Sequence, residues 1–248
     1  MRTRVAAWVC GAVLAVLATL VSTASAQAQQ PEPAPAAPPE CPSLQGCYGY
    51  ADMQAFYDEI IGWVGDFSKV TFADMPAPDF VYVKAGTTVG SGCGVLFDPY
   101  AYAYCTLDDT VYVGQDQLWE FYSGVGDAAA ALGIAHEWGH HVQHVTGIEP
   151  TDRHGIIAKE NQADCIAGAW VGYVDSRGRL ERDDMRDINR VLELVSSAES
   201  GTRDHGTLKE RTAAVELGFG KGISGCDSYF PDQPITSRSR KDAAVSAA

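Results

Sequence analysis

The chain of 248 residues has few basic side chains: 18 Lys and Arg against 32 Asp and Glu, a formal net charge of −14. This shortage argues against nucleic-acid binding, because neutralising phosphates requires a surplus of cationic side chains. The sequence has no internal repeat of fixed period, which argues against a solenoid or a propeller. No two cysteines have the C-x2-C spacing of many structural zinc sites. A hydrophobic content of 46% excludes wholesale disorder.

The N-terminal segment, residues 1–26, has the features of an export signal. Arg2 and Arg4 precede an apolar run over residues 5–21, and Ala24-Ser25-Ala26 fits an A-x-A cleavage site. We therefore expect cleavage after this site and a secreted or cell-envelope protein. The alternative is an uncleaved N-terminal membrane anchor, because a run of this length is at the lower limit for spanning a bilayer.

Residues 41–230 are predicted to form one domain, which is long enough for a buried core. Residues 27–40 are rich in Pro and Ala and predict an extended linker, and residues 231–248 predict a flexible tail. The fold class is α+β, because strand-like runs come early in the domain and most helical patterns come late.

Hydrophobic periodicity and helix capping signals place these elements along the domain. Residues 86–104 are predicted to form a loop or an irregular hairpin. The predicted strands are Phe80–Val83 and Thr110–Val113, and the predicted helices are Asp52–Val64, Asp127–Val145, Gly155–Val174, Asp183–Val195 and a last helix that starts at the Thr207 capping box and ends near Gly218.

The cysteines are consistent with export. Of the seven, Cys10 lies within the predicted signal, and the even number that remains suggests disulfides in an exported chain. The sequence alone does not determine the pairing. Proximity favours Cys41 with Cys47 and Cys93 with Cys105, which leaves Cys165 with Cys226 by elimination.

The motif H-E-x-x-H occurs at 136–140, inside a predicted helix. Positions four apart lie on the same face of a helix, so His136 and His140 can bind one ion. Glu137 then lies where it can reach a metal-bound water and act as general base. The motif predicts one catalytic Zn²⁺ per chain, with one coordination position left for water. The alternative is a helix that happens to carry histidines, with His141 and His144 as solvated neighbours.

A catalytic zinc requires a third protein ligand. The metzincin pattern is excluded, because it requires Gly and His where this chain has Gln143 and Thr146. Glu160, on the next predicted helix, is the predicted third ligand. Asp164, one turn further, is predicted to hydrogen-bond a ligand imidazole. The alternative is that Glu160 and Asp164 are surface charges of an amphipathic helix.

Together, the H-E-x-x-H motif, the 19-residue interval to Glu160 and the E-x-x-x-D pattern resemble the gluzincin metallopeptidases. A closer resemblance, over about residues 85–230, is to the bacterial neutral zinc metallopeptidases. It rests on the segments Ser91–Gly94, Tyr104-Cys105, Val111–Val113, Gly133–Gln143, Gln162–Trp170 and His205–Thr207.

The resemblance implies a zincin-like fold and a zinc hydrolase. It also implies that His205, preceded by Asp204, donates a hydrogen bond to the oxyanion of the reaction. The alternative for His205 is a residue that precedes a helix beside the Thr207 cap.

The predicted function is an exported zinc endopeptidase acting on peptides or proteins. Two alternatives are a non-catalytic, zinc-containing binding module of the cell envelope and a hydrolase of non-peptide amides. The presence of Glu137 argues against the binding module, because a structural zinc site has no use for a general base. The substrate backbone is expected to pair with an exposed strand edge at Thr110–Val113.

The distribution of charge predicts a substrate preference. Residues 41–152 contain 15 acidic side chains and only two basic ones, Lys69 and Lys84, whereas residues 153–248 contain 15 acidic and 14 basic ones. The acidic half includes the metal-binding motif. We therefore expect a cleft that attracts cationic peptides, an effect that salt should weaken.

Overall fold

The structure is a computed structural model that describes Leu44 and residues 46–238. The predicted signal at 1–26, the predicted linker at 27–40 and Cys41 lie outside the described residues, as does most of the predicted tail. What the sequence predicts for these segments, including the Cys41–Cys47 pair, stays a prediction.

The described part of the chain is a mixed α+β domain, as the sequence predicted, with short strands before most of the helices. The strands are β1 (Asp79–Val83), β2 (Val89–Gly90), β3 (Leu96–Phe97), β4 (Tyr102–Cys105) and β5 (Thr110–Gly114). The helices are α1 (Met53–Thr71), α2 (Gln115–Gly124), α3 (Asp127–Thr146), α4 (Arg153–Ser176), α5 (Asp184–Val195) and α6 (Leu208–Lys221), with 3-10 turns at Tyr50–Asp52, Ile223–Tyr229 and Ile235–Arg238.

The main sheet has three strands in the order β1-β5-β4. Strand β5 runs parallel to β1 and antiparallel to β4, and all of its residues are buried. The prediction that Thr110–Val113 presents an exposed edge is therefore wrong, because both edges of this strand are already paired. Strand β4 forms the edge that lies beside α3, where the Tyr102 hydroxyl donates a hydrogen bond to the carbonyl of Ala130.

The helix predictions agree closely with the structure at the ends that carry a capping signal. Helix α3 ends at Gly147, which has φ +80° and donates its amide back to the last turn. Helix α6 begins after Thr207, and the reciprocal hydrogen bonds of Thr207 with Glu210 form the predicted capping box. Helix α1 continues to Thr71, seven residues beyond the predicted end. Helix α2 was not predicted, since only three of its ten residues are buried.

Helix α3 is the central element of the domain, and fourteen of its twenty residues are buried. Its alanine run lies in the main hydrophobic core, and Trp138 packs against the rings of Phe67 and Phe72. Helix α4 packs against both α3 and α6. The approach of α4 to α6 requires glycine at position 218, because a Cβ there would lie 1.8 Å from the carbonyl oxygen of Cys165.

Two of the predicted disulfides are confirmed. Cys93 pairs with Cys105, and Cys165 pairs with Cys226, which attaches α4 to the 3-10 turn at Ile223–Tyr229. Such bonds are consistent with an extracytoplasmic compartment, since reducing compartments keep most thiols free. Across residues 46–238, no helix combines the length and the apolar character needed to cross a membrane.

Candidate metal centre

The two histidines of the H-E-x-x-H motif project from α3 toward α4. Their ring centroids are 4.8 Å apart, with the ring planes nearly perpendicular. Both side chains are largely buried, with 9% of His136 and 13% of His140 exposed. In the alternative, His141 and His144 would be solvated; the side chain of His141 is fully buried, whereas 38% of that of His144 is exposed.

Glu160 of α4 completes a cluster with His136 and His140. One potential ligand atom from each residue lies within 4.8 Å of the other two. The Nε2 atoms of His136 and His140 lie 3.4 Å and 3.5 Å from the Glu160 carboxylate oxygens. One of these oxygens, Oε2, is buried without a hydrogen-bond partner among the described residues. Two imidazoles and a carboxylate are a ligand set of catalytic zinc sites, so these residues fit zinc.

The electrostatics of the cluster favour an ionised Glu160. Burial by itself would raise the pKa of this carboxyl group, but the neighbouring His140 and His136 hold it well below its usual range. Burial also opposes protonation of His136, yet Asp164 and Glu160 raise its pKa to about 10. The cluster therefore offers a carboxylate, and a cation bound there would displace a proton from His136.

Asp164 lies one turn after Glu160 on α4 and contacts His136 from the other side. Its Oδ1 is 2.8 Å from Nδ1 of His136, which leaves Nε2 of that ring facing Glu160. Asp164 is only 1% exposed. The alternative that Glu160 and Asp164 are surface charges does not hold, because their side chains are 16% and 1% exposed.

Arg211 is a further residue of this centre that the sequence analysis missed. Its Nε and Nη2 donate to the two carboxylate oxygens of Asp164, both at 2.8 Å, and Nη1 donates to the carbonyl of Val195. Burial alone would raise the pKa of Asp164, but His136 and Arg211 hold it below its ordinary value. An arginine that is only 6% exposed is uncommon unless it is paired, as Arg211 is with Asp164. The Thr207 capping box predicted the helix, but no spacing signal connected Arg211 to Asp164.

Gln143 contacts the second histidine. Its Oε1 lies 2.8 Å from Nδ1 of His140, and its side chain is fully buried. The residue that excludes the metzincin pattern therefore contacts a ligand candidate. Both imidazoles have an acceptor at Nδ1 and present Nε2 to Glu160.

The cluster lies beside a cleft of about 240 Å³ that His136, Glu137, His205 and Arg211 line. Within the described residues, no side-chain hydrogen bond engages the carboxylate of Glu137. The rest of the lining is mainly apolar and comes from several elements, including Tyr102, Phe121, Leu132, Val191, Leu192 and Val195.

His205 reaches this cleft from the loop before α6. Its Nε2 is 3.4 Å from Glu160 Oε2, its Nδ1 is 2.9 Å from Asp204 Oδ1, and 43% of the side chain is exposed. A Cβ at position 206 would lie 2.2 Å from Oδ1 of Asn161, so any residue other than glycine would displace that side chain. This close contact lets the His205 loop lie directly on α4. His205 precedes the Thr207 cap and also faces the cleft.

The fold and the cluster together define a zincin-like domain, with two histidines on one helix, a glutamate on the next and a small sheet alongside. Comparison with known proteins agrees. The chain belongs to the family described as "Putative neutral zinc metallopeptidase", whose model matches residues 3–229.

Two relatives illustrate how far the similarity extends. The uncharacterized protein YpfJ of Escherichia coli K12 is 29% identical over 171 residues, which cover 58% of this chain and 58% of YpfJ. The uncharacterized protein Rv2575 of Mycobacterium tuberculosis H37Rv is 34% identical over 173 residues, which cover 57% of this chain and 59% of Rv2575. The chain thus spans less than two thirds of the length of either relative. No solved structure matches the chain.

Proposed function

We propose that this chain is an exported, zinc-dependent endopeptidase that hydrolyses peptide bonds in the cleft beside α3. The proposal rests on one observation. His136, His140 and Glu160 lie together beside Glu137, whose carboxylate makes no side-chain hydrogen bond among the described residues. A structural zinc site is normally closed by four protein ligands, whereas three ligands beside an open cleft leave a position for water. Membership of the zinc metallopeptidase family supports the same class of activity.

His136, His140 and Glu160 would hold one Zn²⁺ per chain. When bound, zinc polarises a carbonyl group and lowers the pKa of a bound water to about 7. Asp164 and Arg211 hold the His136 ring in place, and Gln143 contacts the His140 ring. The ligand rings are thus oriented by residues of α3, α4 and α6.

Glu137 would act as the general base and then as the general acid. Its carboxylate accepts a proton from the attacking water, and the same proton passes to the amine nitrogen as the C–N bond breaks. Its place on α3, directly after His136 and along the cleft, supports this role. His205 would donate a hydrogen bond to the oxygen that becomes negatively charged as water adds to the carbonyl carbon.

The substrate would lie along β4 instead of β5. Strand β4 pairs only with β5 among the described strands of the sheet, so its outer edge can accept an extended peptide. Tyr102 connects this strand to the cleft, since it lies in β4 and also lines the cleft. We retain the proposal that cationic peptides are preferred, which rests on the acidic balance of residues 41–152.

Substitution Glu137→Gln tests the mechanism, because it removes the base and leaves the three ligands unchanged. We expect one zinc per chain by metal analysis in both proteins, and chelator-sensitive cleavage of an unbiased peptide library only by the wild type. Glu216→Gln, which changes an exposed glutamate of α6, should cleave like the wild type.

Retained hydrolysis in the Glu137→Gln variant would refute the assigned mechanism. Zinc binding without cleavage by the wild-type chain would instead favour the non-catalytic binding module. Cleavage of small amides but of no peptide in the library would favour an amidase.

A further inference from the structure

The contacts of His140 extend beyond Gln143 to a second buried glutamine. We propose that Gln143 and Gln162 form a relay of side-chain amides that positions His140, so that its Nδ1 carries a proton and its Nε2 faces Glu160. Gln143 and Gln162 are positioning residues in this proposal, which rests on the proposed zinc site.

The relay is continuous and fully buried. From His140 Nδ1 it runs 2.8 Å to Gln143 Oε1, then 3.0 Å from Gln143 Nε2 to Gln162 Oε1, and 3.0 Å from Gln162 Nε2 to the carbonyl of Cys226. Gln143 Nε2 also donates to the carbonyl of Lys159 at 2.7 Å. Both glutamine side chains are 0% exposed, so water does not compete for these hydrogen bonds.

The two backbone carbonyls that the relay contacts determine which group donates in each of its hydrogen bonds. A backbone carbonyl only accepts, so the contact with Cys226 requires the NH₂ group of Gln162 at that end and its oxygen at the other. Gln143 must then donate to this oxygen and to the Lys159 carbonyl. Its own oxygen therefore faces His140 and can only accept, which requires the proton on Nδ1 of that ring. The opposite amide orientation would place oxygen against oxygen at both carbonyls.

The two histidines are consequently held by different chemistry. His136 donates to a buried carboxylate that is paired with Arg211, whereas His140 donates to a neutral amide. A second carboxylate at position 143 would bring an additional negative charge into the interior, and among the described residues Gln143 contacts no arginine such as the one that pairs with Asp164. The oxygen of an amide accepts the same hydrogen bond from Nδ1 without adding a charge. Glutamine at position 143 can therefore orient His140 and remain neutral.

The far end of the relay is anchored to the helix that carries Glu160. Cys226 supplies the terminal carbonyl, and its side chain is bonded to Cys165 of α4. Gln162 lies on the same helix, between Glu160 and Asp164. The acceptor that orients the Gln162 amide thus belongs to a residue that is attached covalently to the helix carrying Glu160.

A chelator-competition measurement of zinc affinity tests the relay in the full chain. Gln143→Met keeps the length of the side chain but removes the acceptor, and it should weaken zinc binding about 10- to 100-fold, as loss of an outer hydrogen-bond partner usually does. Gln162→Met should have a smaller effect in the same direction, because the Lys159 carbonyl still orients Gln143.

Gln115→Met is the matched control. Gln115 is also a buried glutamine, 6% exposed, with one hydrogen bond to the Tyr50 carbonyl and one from the Ala85 amide, and it contacts no ligand candidate. We expect it to lower thermal stability as Gln143→Met does and to leave zinc affinity unchanged. An equal loss of zinc affinity in the two variants, or no loss in Gln143→Met, would overturn the proposal.

Nitrogen-15 NMR of the zinc-free wild-type chain shows which nitrogen of the His140 ring carries the proton, and it needs no variant. The relay requires a slowly exchanging proton on Nδ1, and a neutral ring protonated on Nε2 alone would overturn it. This measurement is independent of metal binding. A chain that binds no zinc but shows the Nδ1 proton would therefore refute the proposed function and leave the relay supported.

Discussion

Removing Arg211 should affect both the stability of the domain and the metal centre. The substitution Arg211→Met keeps an apolar chain of similar reach but leaves the carboxylate of Asp164 in the interior without its guanidinium partner, so that among the described residues only His136 still contacts it. The substitution removes two hydrogen bonds of 2.8 Å to Asp164 and one of 3.1 Å to the Val195 carbonyl, and the side chains of Arg211 and Asp164 are 7% and 1% exposed. Solvent therefore does little to screen the charge that remains.

The magnitude follows from the burial of the pair. Breaking a buried ion pair from one side costs about 3–5 kcal/mol, because the remaining charge is uncompensated. In a domain of this size, each kcal/mol lowers the midpoint of thermal unfolding by about 2–4 °C, so the expected fall is about 6–20 °C. Zinc affinity should also decrease, by about 10- to 100-fold, because Asp164 orients His136.

A double-mutant cycle measures the coupling. Asp164→Asn, Arg211→Met and the double variant are unfolded in urea, and the free energies of unfolding are compared. Because the double variant lacks both charges of this pair, neither is left behind without the other, and its loss should be smaller than the sum of the single losses by about 2 kcal/mol or more. Arg190→Met, which breaks an exposed pair with Glu193 on α5, should cost about 1 kcal/mol or less. Additive losses for Asp164 and Arg211 would refute the reasoning.

Two further predictions concern acidic groups. Burial and the nearby Asp184 raise the pKa of Asp127 to about 7, from an ordinary value of 3.8. The folded state therefore holds this proton more tightly than the unfolded state, and stability should fall as pH rises from about 4 to 7. Asp127→Asn should remove this fall and stabilise the protein by up to ~4 kcal/mol at pH 8 in urea unfolding, whereas an unchanged pH profile would contradict the assignment. For the substrate, kcat/KM at low salt should be higher for Lys/Arg-rich peptides than for Asp/Glu-rich peptides of equal length. This difference should become smaller at high salt. Equal values of kcat/KM at low salt would contradict the charge preference.

The helical part of the candidate site was predictable because helix geometry is local. A spacing of four residues puts His136 and His140 on one face of α3 whatever the rest of the fold does. The same argument separates Glu160 and Asp164 by one turn of α4. Helix ends were predictable where a specific local signal exists, as at Gly147 and Thr207.

The sheet was predictable only in part. Strand character is visible in β1 and β5, but strand order depends on partners that are distant in the sequence. The prediction of an exposed edge at Thr110–Val113 failed for this reason: β4 and β1 pair with β5 on opposite sides. Five consecutive buried residues in β5 are typical of a central strand, since both faces of such a strand are covered.

The sequence by itself determined which chemical groups the candidate site contains: two imidazoles and a carboxylate one residue after the first of them, followed by a second helix with two carboxylates. Only the tertiary structure decided which other groups contact these candidate ligands. Arg211 and Asp164 are 47 residues apart and meet because α6 packs on α4 at Gly218. Gln143 and Gln162 meet because α4 folds back against α3. Hydrophobic periodicity identifies the face of a helix that is buried, but the residue that it meets across an interface depends on how the helices pack.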